Sequence, residues 1–162
     1  MNFQSRKTQL LLLIVALLAG AASASAQSKL NDIAVVVNPA APVNELTLSE
    51  ARKIFRGDRQ YWTKDLPIVL LVRNPPSRER EVILRTLYSM TESEFKQYWI
   101  AKIFRAEATT GPKIVYSNSM AADLVSVIPG AIAFMSAKDV NSNLKVVKID
   151  GRSPGDPAYP LR

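Results

Sequence analysis

Pro67-Ile68-Val69-Leu70-Leu71-Val72-Arg73-Asn74-Pro75-Pro76-Ser77 reads as a buried strand, a break and a helix start. The run from Ile68 to Val72 has no polar alternate, so a strand there is covered on both faces. Arg73-Asn74-Pro75-Pro76 stops it, and Ser77 is placed to cap the next helix. That helix turns Val82, Ile83, Leu87 and Met90 inward. Upstream, Ile33 to Val37 is a second run of the same kind, ended by Asn38-Pro39. Between the two lies Thr47-Leu48-Ser49-Glu50, a capping box. It opens a helix with Leu48, Ala51, Ile54 and Phe55 on one face and Gly57 at its end.

Downstream the alternation continues. Thr91-Glu92-Ser93-Glu94 is a second capping box, with Met90 and Phe95 as its hydrophobic staple. Phe95, Tyr98, Trp99 and Ile103 share one helical face. Lys113 to Tyr116, Ala131 to Met135 and Leu144 to Ile149 are short strands. Ser117-Asn118-Ser119 leads a helix bearing Ala122, Leu124, Val125 and Ile128. Residues 152–162 form a tail with Pro154, Pro157 and Pro160, expected to be extended and partly mobile. Strands alternating with helices predict an α/β, three-layer domain over residues 27–151, with a mostly parallel sheet and flanking helices. Ligands of such sheets sit beyond the carboxyl ends of strands. The residues to examine are Asn38, Arg73 to Arg78, and Ser117 to Ser119.

The first 26 residues are read as an export signal rather than as fold. Arg6 and Lys7 precede an apolar run from Leu10 to Ala19, and Ala24-Ser25-Ala26 is a cleavage site. The run is about half of the ~20 residues a membrane-spanning helix needs. The expected location after cleavage behind Ala26 is the periplasm. The signal carries two basic and no acidic residues, which lowers the formal charge from +7 to +5.

There is no cysteine and no histidine among the 162 residues. That excludes disulfides, thiolate nucleophiles, Ser-His and Cys-His pairs, and imidazole zinc sites. No carboxylate pair stands in a recognisable catalytic motif, and no Gly-rich phosphate loop carries a lysine. The expectation is therefore no enzyme, no catalytic residue, no cofactor and no metal. Arg78, Arg80 and Arg85 alternate with Glu79 and Glu81, the pattern of a solvated helix face, and no nucleic-acid partner is expected. Tyr61, Trp62, Tyr98 and Trp99 are weighed as an aromatic ligand platform, but the helical spacing of Phe95, Tyr98 and Trp99 points to core packing.

The order of segments resembles the second half of the phosphate-binding periplasmic proteins of ABC-type importers. The resemblance rests on Val35-Val36-Val37-Asn38-Pro39, the block Leu46 to Gly57, Trp62, Pro67-Ile68-Val69, Arg73, and Pro129-Gly130-Ala131-Ile132-Ala133-Phe134. It covers roughly Ile33 to Gly151. It implies one lobe of the two-lobed type II periplasmic binding fold. It also implies phosphate or a related oxyanion as ligand and a membrane importer as partner.

In that family the second lobe grips phosphate through Arg, three residues, then Ser-Gly-Thr at a helix N-terminus. Arg73 and Ser77 keep this spacing. Pro76, Arg78 and Glu79 stand where the pattern has glycine, glycine and threonine. Pro76 has no N–H to offer an anion, Arg78 adds charge, and Glu79 adds a negative one. The candidate ligand residues are Arg73, Ser77, Arg78, Asn118, Ser119 and Asn38. Each has a plainer role: Ser77, Asn118 and Ser119 as caps, Arg73 as a solvated strand-end charge, Asn38 as a turn with Pro39. Two functions stay open. One is an oxyanion-binding module. The other is an interaction or assembly module that keeps the fold without the ligand and meets an envelope protein or a second copy of itself.

Overall fold

The structure is a computed structural model and describes residues 31–162, so the signal segment lies outside the described residues. A six-stranded sheet forms its centre. The strands are β1 (Ile33–Val37), β2 (Glu45–Leu46), β5 (Val69–Arg73), β6 (Lys113–Val115), β7 (Ala131–Ser136) and β8 (Lys145–Ile149), in the order β2-β8-β1-β7-β5-β6. β3 (Tyr61–Thr63) and β4 (Leu66–Pro67) make a separate small hairpin. The β2–β8, β5–β7 and β5–β6 pairs are parallel. β1 alone runs against the rest, antiparallel to both neighbours. The sheet is thus mostly parallel, with one reversed strand near its middle.

β1 explains why the strands read as unbroken apolar runs. Ile33, Val35 and Val37 point into one core, and Ala34 and Val36 point into another. The first core is packed by α1 (Leu48–Phe55), α2 (Arg78–Ile83) with its π-helical continuation Leu84–Tyr88, and α3 (Glu92–Phe104). The second is packed by α4 (Asn118–Val127), where Ala121, Ala122 and Val125 meet Ala131, Ala133 and Met135. Small residues on both sides let this helix lie close to the sheet.

Both capping boxes form. Thr47 and Thr91 each accept the N–H three residues on, and Glu50 and Glu94 reach back to the cap N–H. Gly130 is required by contact: a Cβ there would stand 1.9 Å from the Pro67 carbonyl oxygen. Its own carbonyl accepts from Val69 N–H and from Trp62 Nε1, both at 3.0 Å. Trp62 is accordingly a packing residue that pins the hairpin to the start of β7.

Three expectations are corrected. The segment after Gly151 is not loose: Tyr159 and Leu161 are buried in the first core, and Ile33 N–H donates to the Leu161 carbonyl at 2.8 Å. Prolines fix the path of this segment, and two large apolar side chains anchor it. Arg80 is not on a solvated face. It is 3% exposed, forks onto Glu92 at 2.7 and 2.9 Å, donates to the Arg73 carbonyl at 2.7 Å, and lies over the Phe95 ring. Ile103 is exposed along with Ile100 and Phe104, so only Phe95, Tyr98 and Trp99 of the predicted α3 face pack inward.

Candidate functional site

The carboxyl ends of β5, β6 and β7 meet at one edge of the sheet. β5 ends on Arg73, β6 runs into the start of α4, and β7 runs into the 3-10 turn Ala137–Asp139. Arg73 pairs in register with Val115, the last residue of β6. Topology therefore collects Arg73, the first residues of α4 and Asp139. They line an open depression of about 450 Å³ together with Asp123 and Asn141. Ser117 caps α4, its hydroxyl accepting from Met120 N–H at 2.9 Å.

Of the six residues predicted from sequence, the depression brings together Arg73, Asn118 and Ser119. Arg73 Nη1 makes only long contacts, 3.4 Å to Asn74 Oδ1 and 3.4 Å to the Val115 carbonyl. Its Nε is withdrawn from solvent and has no partner among the described residues. Asn118 Nδ2 donates to Glu79 Oε1 at 2.9 Å and to Asp139 Oδ2 at 2.6 Å. Two carboxylates can only accept here, so the amide nitrogen must face them. Asn118 Oδ1 is left without a partner among the described residues. Asp123 and Asp139 were not singled out from sequence, whereas Glu79 was, as a negative charge beside the loop. Asp139 follows a strand and Asp123 lies within a helix, in patterns that any surface shares.

The other three residues lie elsewhere. Asn38 is the clearest correction. Because β1 is reversed, its carboxyl end sits at the opposite edge, where Asn38 N–H donates to the Ala131 carbonyl. Its side-chain amide donates to the Val125 and Ser126 carbonyls, each at 2.9 Å, and its Oδ1 accepts from Ala40 N–H. Asn38 thus closes the far end of α4. Ser77 accepts from Arg80 N–H at 3.3 Å as the cap of α2 and lines a different, more apolar hollow beside Leu84 and Met90. Arg78 reaches the Asn31 carbonyl at 2.5 Å. Arg73 and Ser77 keep their sequence spacing but do not share a cavity.

The arrangement offers one guanidinium and the N-terminus of a ten-residue helix. Both favour an anionic group. It also offers acceptors, the exposed carboxylates of Asp123 and Asp139. Among the described residues, no group of His, Cys, Asp or Glu side chains is arranged to hold a metal ion, and no helix is long and apolar enough to cross a membrane.

The fold recurs in solved structures. A Clostridium perfringens structure with bound phosphate is 24% identical, with a TM-score of 0.62 over 76% of this chain and 46% of its own. An ABC-type phosphate transport receptor from Vibrio cholerae is 24% identical, with a TM-score of 0.61 over 76% of this chain and 48% of its own. PstS from Borrelia burgdorferi is 16% identical, with a TM-score of 0.61 over 80% and 53%. The chain therefore spans about half the length of the proteins it resembles. At these identities the likeness is one of fold. The model of the PBP superfamily domain matches residues 28–158, most of the chain, and the protein belongs to that family.

Proposed function

We propose that this chain is a non-catalytic solute-binding module that takes phosphate or a related oxyanion at the depression headed by Arg73. The observation that carries the reading is the Arg73 guanidinium, which lines the depression and whose Nη1 makes only long contacts of 3.4 Å. An oxyanion placed there meets this guanidinium and the positive end of α4. Membership of the PBP superfamily domain supports the reading, as does the phosphate held by the Clostridium perfringens structure of the same fold. On this view residues 1–26 are an export signal, residues 27–151 the binding domain and residues 152–162 its closing segment. The module works in the periplasm beside a membrane importer.

A single lobe walls its ligand on one side only, so weak binding is expected. Calorimetry of the chain starting at Gln27 against phosphate and sulfate tests this. Arg73→Ala is expected to weaken binding by about tenfold or more, the value of a charge-assisted hydrogen bond. No heat and no thermal shift at millimolar anion would overturn the reading.

A second reading is favoured by the two carboxylates, Asp123 and Asp139, that line the same depression. In it the module keeps the fold, binds no small ligand, and serves as an interaction piece for an envelope protein or a second copy. Sedimentation and periplasmic pull-down that find only a lone monomer would remove it.

A further inference from the structure

We propose that the open sheet edge at β6, with the flank of α3 beside it, is where a second copy of this chain docks, β6 pairing antiparallel with its counterpart. The inference gives the interaction reading above a surface and an occupant, and it holds whether or not the depression takes an anion. β6 is the last strand of the sheet and has β5 on one side only. The Val115 carbonyl accepts from Asn74 N–H at 2.9 Å, so the backbone of Val115 faces β5. Backbone groups alternate along a strand, so the N–H and C=O of Ile114 point out of the sheet.

Side chains continue this surface. Val115 packs with α4 in the second core, so Ile114 turns to the opposite face of the sheet, the face that α3 covers. It is exposed there, as is Tyr116 just beyond the strand. Ile103 of α3 comes close: a Cβ on Gly111, two residues before β6, would stand 3.7 Å from its Cδ1. Ile100, 68% exposed, and Phe104, 91% exposed, share the flank of α3 with it. These five uncharged side chains leave about 600 Å² in water, against the ~800 Å² per partner of a stable interface. Apolar residues exposed singly are ordinary, but a contiguous patch of this size marks an interaction surface.

The edge is its own complement. Pairing centred on Ile114 lets this residue exchange both of its outward bonds with the same residue of the other copy, about a two-fold axis normal to the sheet. Both α3 helices then lie on one side of the joined sheet, and the Ile100, Ile103 and Phe104 flank of one meets that of the other. This register sets Lys113 opposite Val115 rather than opposite another lysine, so like charges do not face each other across the pair.

Sedimentation equilibrium of the chain starting at Gln27 is the test. Dimer is expected at about 100 μM chain, as a small interface gives. Ile114→Pro removes the outward N–H without taking a bond from β5, and Phe104→Asp sets a charge on the flank. Each should weaken dimerisation by about tenfold or more. Val127→Asp alters an exposed apolar residue of α4 outside this surface and should leave the dimer unchanged. Thermal melts confirm that the variants fold, and Phe104 is too exposed to hold the fold together. A monomer at every concentration overturns the inference, and pull-down from periplasm then decides whether an envelope protein sustains the interaction reading. A dimer that tolerates both Ile114→Pro and Phe104→Asp, or that Val127→Asp dissociates, overturns it as well and leaves the interaction reading in place.

Discussion

Arg73 and Arg80 belong to one short segment and have opposite situations. Arg73 points into an open depression with its Nε unpaired among the described residues, while every nitrogen of Arg80 is bonded. Arg80→Ala strips Glu92 and the Arg73 carbonyl of their donors. The expected loss is about 3 kcal/mol in urea unfolding, the usual result of breaking a buried ion pair from one side. In that variant Glu92 keeps partial access to water, which holds the loss to the low end of what a fully buried pair would cost. An unchanged midpoint for Arg80→Ala would show that its network contributes nothing. The burial of Arg80 was not legible in sequence. Alternating charges around Arg80 describe a solvated face, and only the tertiary approach of α3 brings Glu92 and Phe95 to it. Asn38 misled for a related reason. Its place at a strand end was legible, but which edge that end occupies depends on strand direction, which a run of apolar residues does not encode.

The helices follow rules that act over a few residues, which is why their starts were legible. Both capping boxes and the cap at Ser77 form where the sequence places them, while α4 is capped by Ser117 rather than by Asn118 or Ser119. Thr47→Ala is expected to cost about 1 kcal/mol. The two box carboxylates also set an acid limit. The Thr47 backbone N–H, followed by its hydroxyl, holds Glu50 below its ordinary value of 4.5, and Thr91 does the same for Glu94. A lowered folded-state pKa gives stability that is fully present above the unfolded value and lost as pH falls through the folded one. Melting temperature should therefore drop on acidification below about 4.5, and the drop should shrink in the Glu50→Gln, Glu94→Gln double variant. An undiminished drop would place the acid sensitivity elsewhere. Gly130 tests the join between elements. Gly130→Ala forces its Cβ into the Pro67 carbonyl, and a loss of about 2 kcal/mol or more is expected in the same urea assay. The β3–β4 hairpin that it holds escaped the sequence reading, because strands this short carry no periodicity.

At the scale of the molecule, the segment after Gly151 behaves as part of the core. Tyr159 donates to the Ile33 carbonyl at 2.9 Å, and Asp32, fully buried, accepts from Gly155 N–H at 2.7 Å. Arg162 Nε stands 3.3 Å from the other Asp32 oxygen. Leu161→Ala should destabilise by about 3 kcal/mol, the cost of emptying a core site, and calorimetric melting reads it. A negligible change would return the segment to the mobile tail that its prolines suggested. The layered α/β architecture was legible because apolar runs and capped helices alternate. The docking of this segment was not, because it rests on two isolated apolar residues with no pattern between them. The reversed strand has one more consequence, in time rather than in space. β1 lies between β7 and β8, and both follow it by most of the chain. No sheet neighbour for β1 exists until residues beyond Ala131 have been made, so the first of the described strands is among the last to be seated. Loop closure on that scale slows folding. A chain threaded through a membrane amino end first would stay open, and so transportable, until its carboxyl-terminal strands arrived.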